Sequence, residues 1–180
     1  MAPRRRGRAG TAIGRAVHAT LQFVDLGAPV GLEAQAARQA ELEAVPEHAD
    51  LIAAMARSAL ASDAVQLAAK AVSHREIYVG APVGDRVIEG YIDLLVETPD
   101  GLVIVDYKTD TVASEADVDA KLAAYELQGA AYAVALEVST GMPVVDCRFV
   151  FCRPSGAIER RVADLDAAKQ RVRRHLTASP

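Results

Sequence analysis

Cysteine is scarce in this 180-residue chain and long apolar runs are missing, and each of these two features excludes a class of protein. The two cysteines, Cys147 and Cys152, are too few for a disulfide framework, a four-cysteine zinc site or a cysteine-held iron–sulfur cluster. Their odd spacing on a predicted strand points the two thiols to opposite faces. We expect both thiols to be buried.

No apolar run is long enough to cross a bilayer, and no signal-peptide core follows the arginine-rich start. We therefore expect a soluble, cytoplasmic protein without a membrane partner, beginning with a basic, flexible segment at residues 1–10. The phosphate loop GxxxxGK[ST] is also missing, so this chain is not expected to be an ATP-driven motor.

The net charge of −4 conceals two arginine clusters, one near the start and one after residue 159. Such clusters can bind phosphate backbones. The first is equally typical of a solvated tail, and the second of side chains that offset a helix dipole.

Hydrophobic residues make up 51% of the chain, enough for one globular domain over residues 11–180. Alanine-rich, helically spaced residues predict several short helices over 11–71 and a longer helix over 116–138, and a last helix is expected within 153–180. β-Branched and aromatic runs within 72–152 predict the strands of a sheet core. The predicted strands span 74–81, 86–97, 102–109 and 144–152. This order predicts an α/β fold with a mixed sheet flanked by helices and an N-terminal helical segment.

The stretch GYIDLLVETPDGLVIVDYKTD, residues 90–110, places charges within strongly apolar runs. Asp93, Asp106 and Lys108 stand where valine or isoleucine is expected, and buried charges are costly unless they are paired or bound to metal. Residues two apart on a strand share a face, so Asp106 and Lys108 are predicted to lie side by side.

The turn Thr98-Pro99-Asp100-Gly101 decides what faces Asp93. A four-residue loop pairs Glu97 with Leu102 and places Asp93 opposite Asp106, where two carboxylates repel unless a cation or proton lies between them. A three-residue loop would slip the register by one and bring Tyr107 opposite Asp93 instead. We favour the first register because it explains both acids. The structural alternative is an Asp–Lys ion pair near a sheet edge.

GYID followed by VDYKTD, with GTAIGRAVHATL upstream and QGAAY downstream, resembles the RecB-like nuclease domain of the PD-(D/E)xK superfamily. Domains of that kind are fused to the C-termini of AddA, RecB and related UvrD-type helicases. The resemblance implies a restriction-endonuclease-like core. Too few cysteines are present for the iron–sulfur cluster of some relatives, which places the chain nearer AddA and RecB.

The resemblance also implies roles for individual residues. A catalytic Mg²⁺ or Mn²⁺ ion would be bound by His18, Asp93, Asp106 and the backbone carbonyl of Tyr107. Lys108 would be the catalytic lysine. Gln128 would position that lysine or the substrate phosphate, and Tyr132 would contact DNA.

Two of these candidates have ordinary structural alternatives. Taken alone, His18 is more typical of a helix surface or a satisfied buried histidine, but the glycine-punctuated helix around it would allow a close backbone approach. Glu76, which the resemblance places at the start of the first core strand, is a catalytic candidate that would bind a second metal or hydrogen-bond to a metal-bound water. Its structural alternative is a surface charge at a strand end. Tyr125 is expected in the core, and His48, His74 and His175 are expected to be structural.

The resemblance predicts a metal-dependent deoxyribonuclease that cuts single-stranded DNA supplied by a helicase motor in the same or a partner chain, in double-strand break repair. The abrupt beginning of the chain favours an excised domain over a stand-alone relative. One alternative is a catalytically silent nuclease-fold module that clamps DNA or docks a partner. Another is a sugar- or nucleotide-binding α/β domain whose acids are only structural.

Overall fold

A five-stranded mixed sheet organises residues 11–177, the part of the chain that this computed structural model describes. The strands lie side by side in chain order, and only β3 and β4 run parallel. They are β1 (Ser73–Val83), β2 (Arg86–Thr98), β3 (Gly101–Lys108), β4 (Val144–Phe151) and β5 (Ile158–Arg161). The predicted basic segment 1–10 lies outside the described residues.

Helices cover both faces of the sheet and create two apolar cores. On one face the four N-terminal helices pack against residues such as Leu94 and Val105. On the other face the two C-terminal helices pack against residues such as Ile104 and Phe149. The helices are α1 (Ala12–Phe23), α2 (Leu32–Leu42), α3 (Ala49–Leu60), α4 (Asp63–Ala68), α5 (Glu115–Thr140) and α6 (Leu165–Thr177), with a 3-10 turn at Pro46–His48. The predicted mixed sheet flanked by helices is confirmed.

The β2–β3 hairpin has the predicted register. Glu97 pairs with Leu102, and the ladder continues to Leu94 and Val105, so the next pair in the same register is Asp93 and Asp106. The strands reach further into the loop than predicted, because Thr98 pairs with Gly101. Gly101 has a φ of +141°, a backbone conformation that favours glycine.

Side-chain alternation changes at one point on the neighbouring β1–β2 pair. Arg75 and Leu94 face the α1 side, whereas Ile77 and Ile92, two residues further along each strand, pack on the α5 side. Regular strands would keep residues two apart on the same face. Glu76 and Asp93 lie at this change, and Glu76 has a φ of +56°, which is uncommon for any residue but glycine.

The C-terminal part, residues 153–180, contains a strand that the sequence pattern did not predict. Strand β5 is short, and its residues Glu159, Arg160 and Arg161 carry no apolar alternation. It pairs with β4 at the edge of the sheet, before α6 begins at Leu165.

Both thiols are buried, as predicted. Cys147 lies in the core on the α5 side, and Cys152 lies in the core on the α1 side. Burial raises the pKa of each thiol, which favours the neutral form. Within residues 11–177, no helix combines the length and the apolar character that a membrane span requires.

Candidate active site

Helix α1 is held against the sheet at both of its ends. The Thr11 hydroxyl accepts a hydrogen bond from the Gly14 N–H at 3.0 Å and caps the helix. A Cβ on Gly14 would lie 2.5 Å from the Thr109 Oγ1, so only glycine lets the helix come this close to the end of β3. At the other end, the Arg75 guanidinium donates to backbone carbonyls of the last turn, including Gln22 at 2.9 Å. These contacts place His18 over the sheet.

His18 and Asp93 contact each other directly, although 75 residues separate them in the chain. The His18 Nδ1 lies 3.0 Å from the Asp93 Oδ1, and both side chains are largely buried. The other carboxylate oxygen, Oδ2, accepts the Tyr107 N–H at 2.8 Å. The His18 ring also meets the Tyr107 ring edge-on at 5.9 Å. Asp93 therefore fixes the histidine and the end of β3 at once.

Glu76 completes a group of potential metal ligands. One ligand atom from each of His18, Glu76 and Asp93 lies within 4.8 Å of the other two. Glu76 lies inside β1 rather than at its end, so the surface-charge interpretation of a strand terminus does not describe its position. Its left-handed backbone conformation is of the strained kind that clusters at functional sites. A nitrogen and carboxylate oxygens form a donor set suited to a divalent cation.

Asp106 lies beside this group and pairs with the lysine. The Lys108 Nζ is 2.8 Å from the Asp106 Oδ1, and both side chains are about nine-tenths buried, so the predicted side-by-side arrangement is confirmed. Burial, followed by the neighbouring charge of Asp93, raises the pKa of Asp106 to about 6, although Lys108 opposes the shift. The raised pKa favours the protonated form of this carboxyl group more than an exposed position would.

The lysine ammonium is enclosed by helix α5. Its Nζ donates to the Gln128 Oε1 at 2.9 Å, and the Gln128 amide donates to the Tyr132 hydroxyl at 3.2 Å. The same Nζ lies 4.1 Å above the centre of the Tyr125 ring, within cation–π range. The Tyr132 ring lies against Gly90, where a Cβ would approach its Cε1 to 2.5 Å. Gln128 is therefore in a position to orient Lys108.

Tyr125 has more than the core role that the sequence pattern predicts. Its ring packs on Phe149 and Phe151, but its hydroxyl also donates to the Asp110 Oδ2 at 2.7 Å. Asp110 additionally pairs with Lys121 at 2.8 Å. A signal was present, because Tyr125 precedes Gln128 by three residues and therefore shares its face of a helix.

The structure brings together His18, Glu76 and Asp93 as one group, with Asp106 and Lys108 as an adjoining pair. Asp106 and the Tyr107 carbonyl as metal ligands stay predictions, as do the DNA contacts of Gln128 and Tyr132.

The remaining histidines do not join this group. His74 contacts Glu97 at 2.7 Å, and His48 lies 3.6 Å from Glu47.

Residues 3–179 match the PD-(D/E)XK nuclease superfamily. Among curated relatives, an ATP-dependent helicase/nuclease subunit from Desulforudis audaxviator is 35% identical over 130 residues, which are 59% of this chain and 10% of the relative. The protein of the same name from Bacillus mycoides is 29% identical over 165 residues, or 77% of this chain and 13% of the relative. The chain thus spans only about a tenth of the length of these relatives.

A solved structure from Eubacterium rectale, provisionally assigned as an exonuclease, shares the fold. Its TM-score is 0.53 at 13% identity, and the alignment covers 96% of this chain and 65% of that one. The sequence resemblance to a RecB-like nuclease domain is confirmed by these matches. Because the family match extends over almost every residue, the chain belongs to the PD-(D/E)XK nuclease superfamily.

Proposed function

We propose that this chain is a divalent-metal-dependent deoxyribonuclease domain that hydrolyses phosphodiester bonds of single-stranded DNA. The observation that carries the proposal is the His18–Glu76–Asp93 donor group with the Asp106–Lys108 pair beside it. Acids and an imidazole that converge next to a fixed ammonium suit phosphoryl chemistry, in which a cation and a positive side chain both counter negative charge.

The residues present fit a divalent ion. Nucleases of this superfamily generally use divalent metals, and we propose Mg²⁺ or Mn²⁺ because carboxylate oxygens suit both and one imidazole adds some preference for Mn²⁺. His18, Glu76 and Asp93 would hold the ion, with Asp106 and the Tyr107 carbonyl as further candidates. When bound, such an ion polarises a phosphoryl oxygen and lowers the pKa of water.

The chain's own side chains supply orientation and charge. The Tyr107 N–H and His18 both contact the Asp93 carboxylate and fix its position beside the other candidate ligands. Lys108 is fixed by Asp106 and Gln128, and its ammonium would neutralise charge that grows on the phosphate during hydrolysis.

The relatives' names and the charge of this chain support a proposal for the partner. Relatives named as ATP-dependent helicase/nuclease subunits support a role next to a helicase motor, in the same or a partner chain. We propose that this role lies in double-strand break repair and recombination. The net charge of −4 predicts modest intrinsic affinity for DNA, so the motor would supply the strand. Binding to single strands should then stay weak even at low salt.

A cleavage assay with a labelled single-stranded oligonucleotide tests the proposal. We expect cutting in Mg²⁺ or Mn²⁺, no cutting with excess chelator, and a loss of at least about 100-fold in Asp106→Ala. A folded protein that cuts in neither metal would overturn the proposal in favour of a silent module that clamps DNA or docks a partner. If Asp106→Ala cut DNA as fast as the wild type, the proposed site would take no part in the reaction.

A further inference from the structure

The β1–β2 hairpin carries two exposed tyrosines that the proposed reaction does not use. Tyr78 and Tyr91 are directly paired across the two strands and are 55% and 45% exposed. Their neighbours along each strand, Ile77 and Ile92, pack on the α5 side. The tyrosine side chains therefore lie on the opposite face of the sheet, the same face as α1.

The Tyr78 ring lies along its own strand. A Cβ on Gly80 would lie 3.0 Å from the Tyr78 Oη and 3.2 Å from its Cε1, so the ring extends over that glycine. Glu89 accepts the Tyr78 hydroxyl at 3.0 Å and holds the ring in this position. Tyr91 meets the ring at 5.4 Å with an interplanar angle of 62°. The two rings meet edge to face and are not stacked, which leaves a ring face exposed to a flat ligand.

The pair adjoins the candidate metal site. Tyr78 follows Glu76 by two residues on β1, and Tyr91 precedes Asp93 by two residues on β2. On β2, two residues of extended strand span about 7 Å, on the order of the length of one or two nucleotides of a single strand. A strand whose phosphate lay at the metal site could place a neighbouring base on these rings.

The chemistry of this face favours a base over a phosphate or a protein. The Glu89 carboxylate lies at the Tyr78 hydroxyl and would repel phosphates, and Val87 is exposed on the same strand. The exposed apolar residues of this hairpin, Tyr78, Val87 and Tyr91, are few beside the roughly 20–30 residues per side of a standard protein interface. Every base offers a face to an aromatic ring, whatever the sequence.

We propose that Tyr78 and Tyr91 form a stacking platform for the bases of a single-stranded nucleic acid that enters the metal site. This inference rests on the proposed nuclease function and assigns it a substrate-binding surface. Removing an aromatic stacking partner commonly weakens binding by roughly tenfold per base. The platform should therefore distinguish strands that carry bases from strands that lack them, whatever the base sequence.

The test uses paired oligonucleotides of thymidine, one intact and one with abasic sites in the central positions. Binding is measured in chelator, so that nothing is cut, and KM is measured in Mn²⁺. The wild type should bind the intact strand roughly tenfold better, and Tyr78→Ala with Tyr91→Ala should erase that preference. Tyr78→Phe with Tyr91→Phe should keep it, as should Phe23→Ala, which removes another exposed ring.

A fluorescence measurement gives a second readout. The chain has no tryptophan, so Tyr91→Trp introduces a single indole whose emission should be quenched by intact strands and unaffected by abasic ones. If the wild type cuts DNA and the double alanine variant keeps the full preference for intact strands, the stacking platform is wrong and the nuclease proposal stands. This face would then be a candidate for binding a protein. Quenching by intact strands without any cutting would support the platform and overturn the nuclease proposal.

Discussion

Two clusters of charged side chains lie on the same sheet and differ in how their acids are arranged. On β4 and β5, Asp146 pairs with Arg148 at 2.7 Å and with Arg161 at 2.8 Å, and Arg148 also pairs with Glu159 at 3.1 Å. Two acids there meet two guanidinium groups. At the candidate site, Asp106 pairs with Lys108 at 2.8 Å, and His18, Glu76 and Asp93 offer ligand atoms within 4.8 Å of one another.

The comparison separates acids that are paired with guanidinium groups from acids whose oxygens converge with an imidazole. The carboxylate of Asp146 has a guanidinium on each side, so no further ion is needed to hold its charge. At the site the pKa of Asp106 is raised to about 6 because burial and the charge of Asp93 outweigh the stabilising effect of Lys108. Ligand atoms of His18, Glu76 and Asp93 also converge within 4.8 Å of one another, a geometry that would suit a divalent cation.

The largest expected effect comes from removing one carboxylate at the site. Asp93→Asn keeps an oxygen for the Tyr107 N–H but loses the charge that attracts a metal. In the wild type, Mn²⁺ at a hundred times its Kd should raise Tm by roughly 5–10 °C, because it binds only the folded state. We expect Asp93→Asn to lose both this rise and the cleavage of DNA, measured by thermal melting with and without Mn²⁺ and by a cleavage assay.

Asp146→Asn is the matched control for that substitution. It removes charge from a carboxylate of similar burial and should lower the free energy of unfolding by about 2 kcal/mol, because two guanidinium groups lose their partner. Its Mn²⁺-induced rise in Tm should nevertheless match that of the wild type. If both asparagine variants lost the rise equally, the distinction between the two clusters would be wrong.

The second prediction distinguishes the role of Lys108 from that of the metal ligands. Lys108→Met keeps a long side chain over the Tyr125 ring and removes the ammonium. We expect cleavage to fall at least about 100-fold, while the Mn²⁺-induced rise in Tm is kept, since the donor group of His18, Glu76 and Asp93 is intact. Full activity in Lys108→Met would show that the ammonium takes no part in the reaction.

A smaller effect is expected one contact further out, at Tyr125. Tyr125→Leu removes the ring under the ammonium, whereas Tyr125→Phe removes only the hydroxyl bond to Asp110. A cation–π contact of this kind contributes about 1 kcal/mol, so kcat should fall roughly fivefold in the leucine variant with little change in KM. The phenylalanine variant should stay within about twofold of wild type. A reversed order would assign the positioning of Lys108 to the hydroxyl bond instead.

Much of the fold could be predicted from local signals. The Thr98–Gly101 turn fixed the β2–β3 register, and Ser114 and Gly141 bound α5 to within about two residues of the predicted ends. Ser114 begins the helix with a capping box, and Gly141 ends it in the left-handed conformation. Strand β5 could not be predicted, because it forms by pairing with β4 and has no apolar pattern of its own.

The candidate site was partly predictable. The adjacency of Asp106 and Lys108 follows from strand geometry alone. The approach of His18 to Asp93 depends on how α1 packs on the sheet, and only the family resemblance pointed to it. The left-handed backbone of Glu76 has no signal in the sequence, since glutamate does not favour that conformation.

A third cluster extends the comparison to the helices and has the smallest expected effect. Glu137 on α5 pairs with Lys169 at 2.7 Å and with Arg173, both on α6. Burial alone would raise the pKa of Glu137, but these partners and the Val144 N–H outweigh it and hold the pKa below its ordinary value of 4.5. A carboxyl group whose pKa is lowered by folding stabilises the protein fully above its unfolded-state pKa, and this stability is lost as the pH falls through the folded-state value.

Glu137→Gln should therefore lower the free energy of unfolding by about 1 kcal/mol at pH 7, and its difference from wild type should shrink as the pH falls below about 4.5. Denaturant unfolding at several pH values measures both. Glu126→Gln on the same helix is the control, because its contact with Arg171 is long, at 4.0 Å, and little change is expected. Because Glu137 is balanced by bases, as Asp146 is, its loss should leave DNA cleavage unchanged. A drop in cleavage matching that of the site variants would mean that pairing with bases does not mark an acid as structural in this domain.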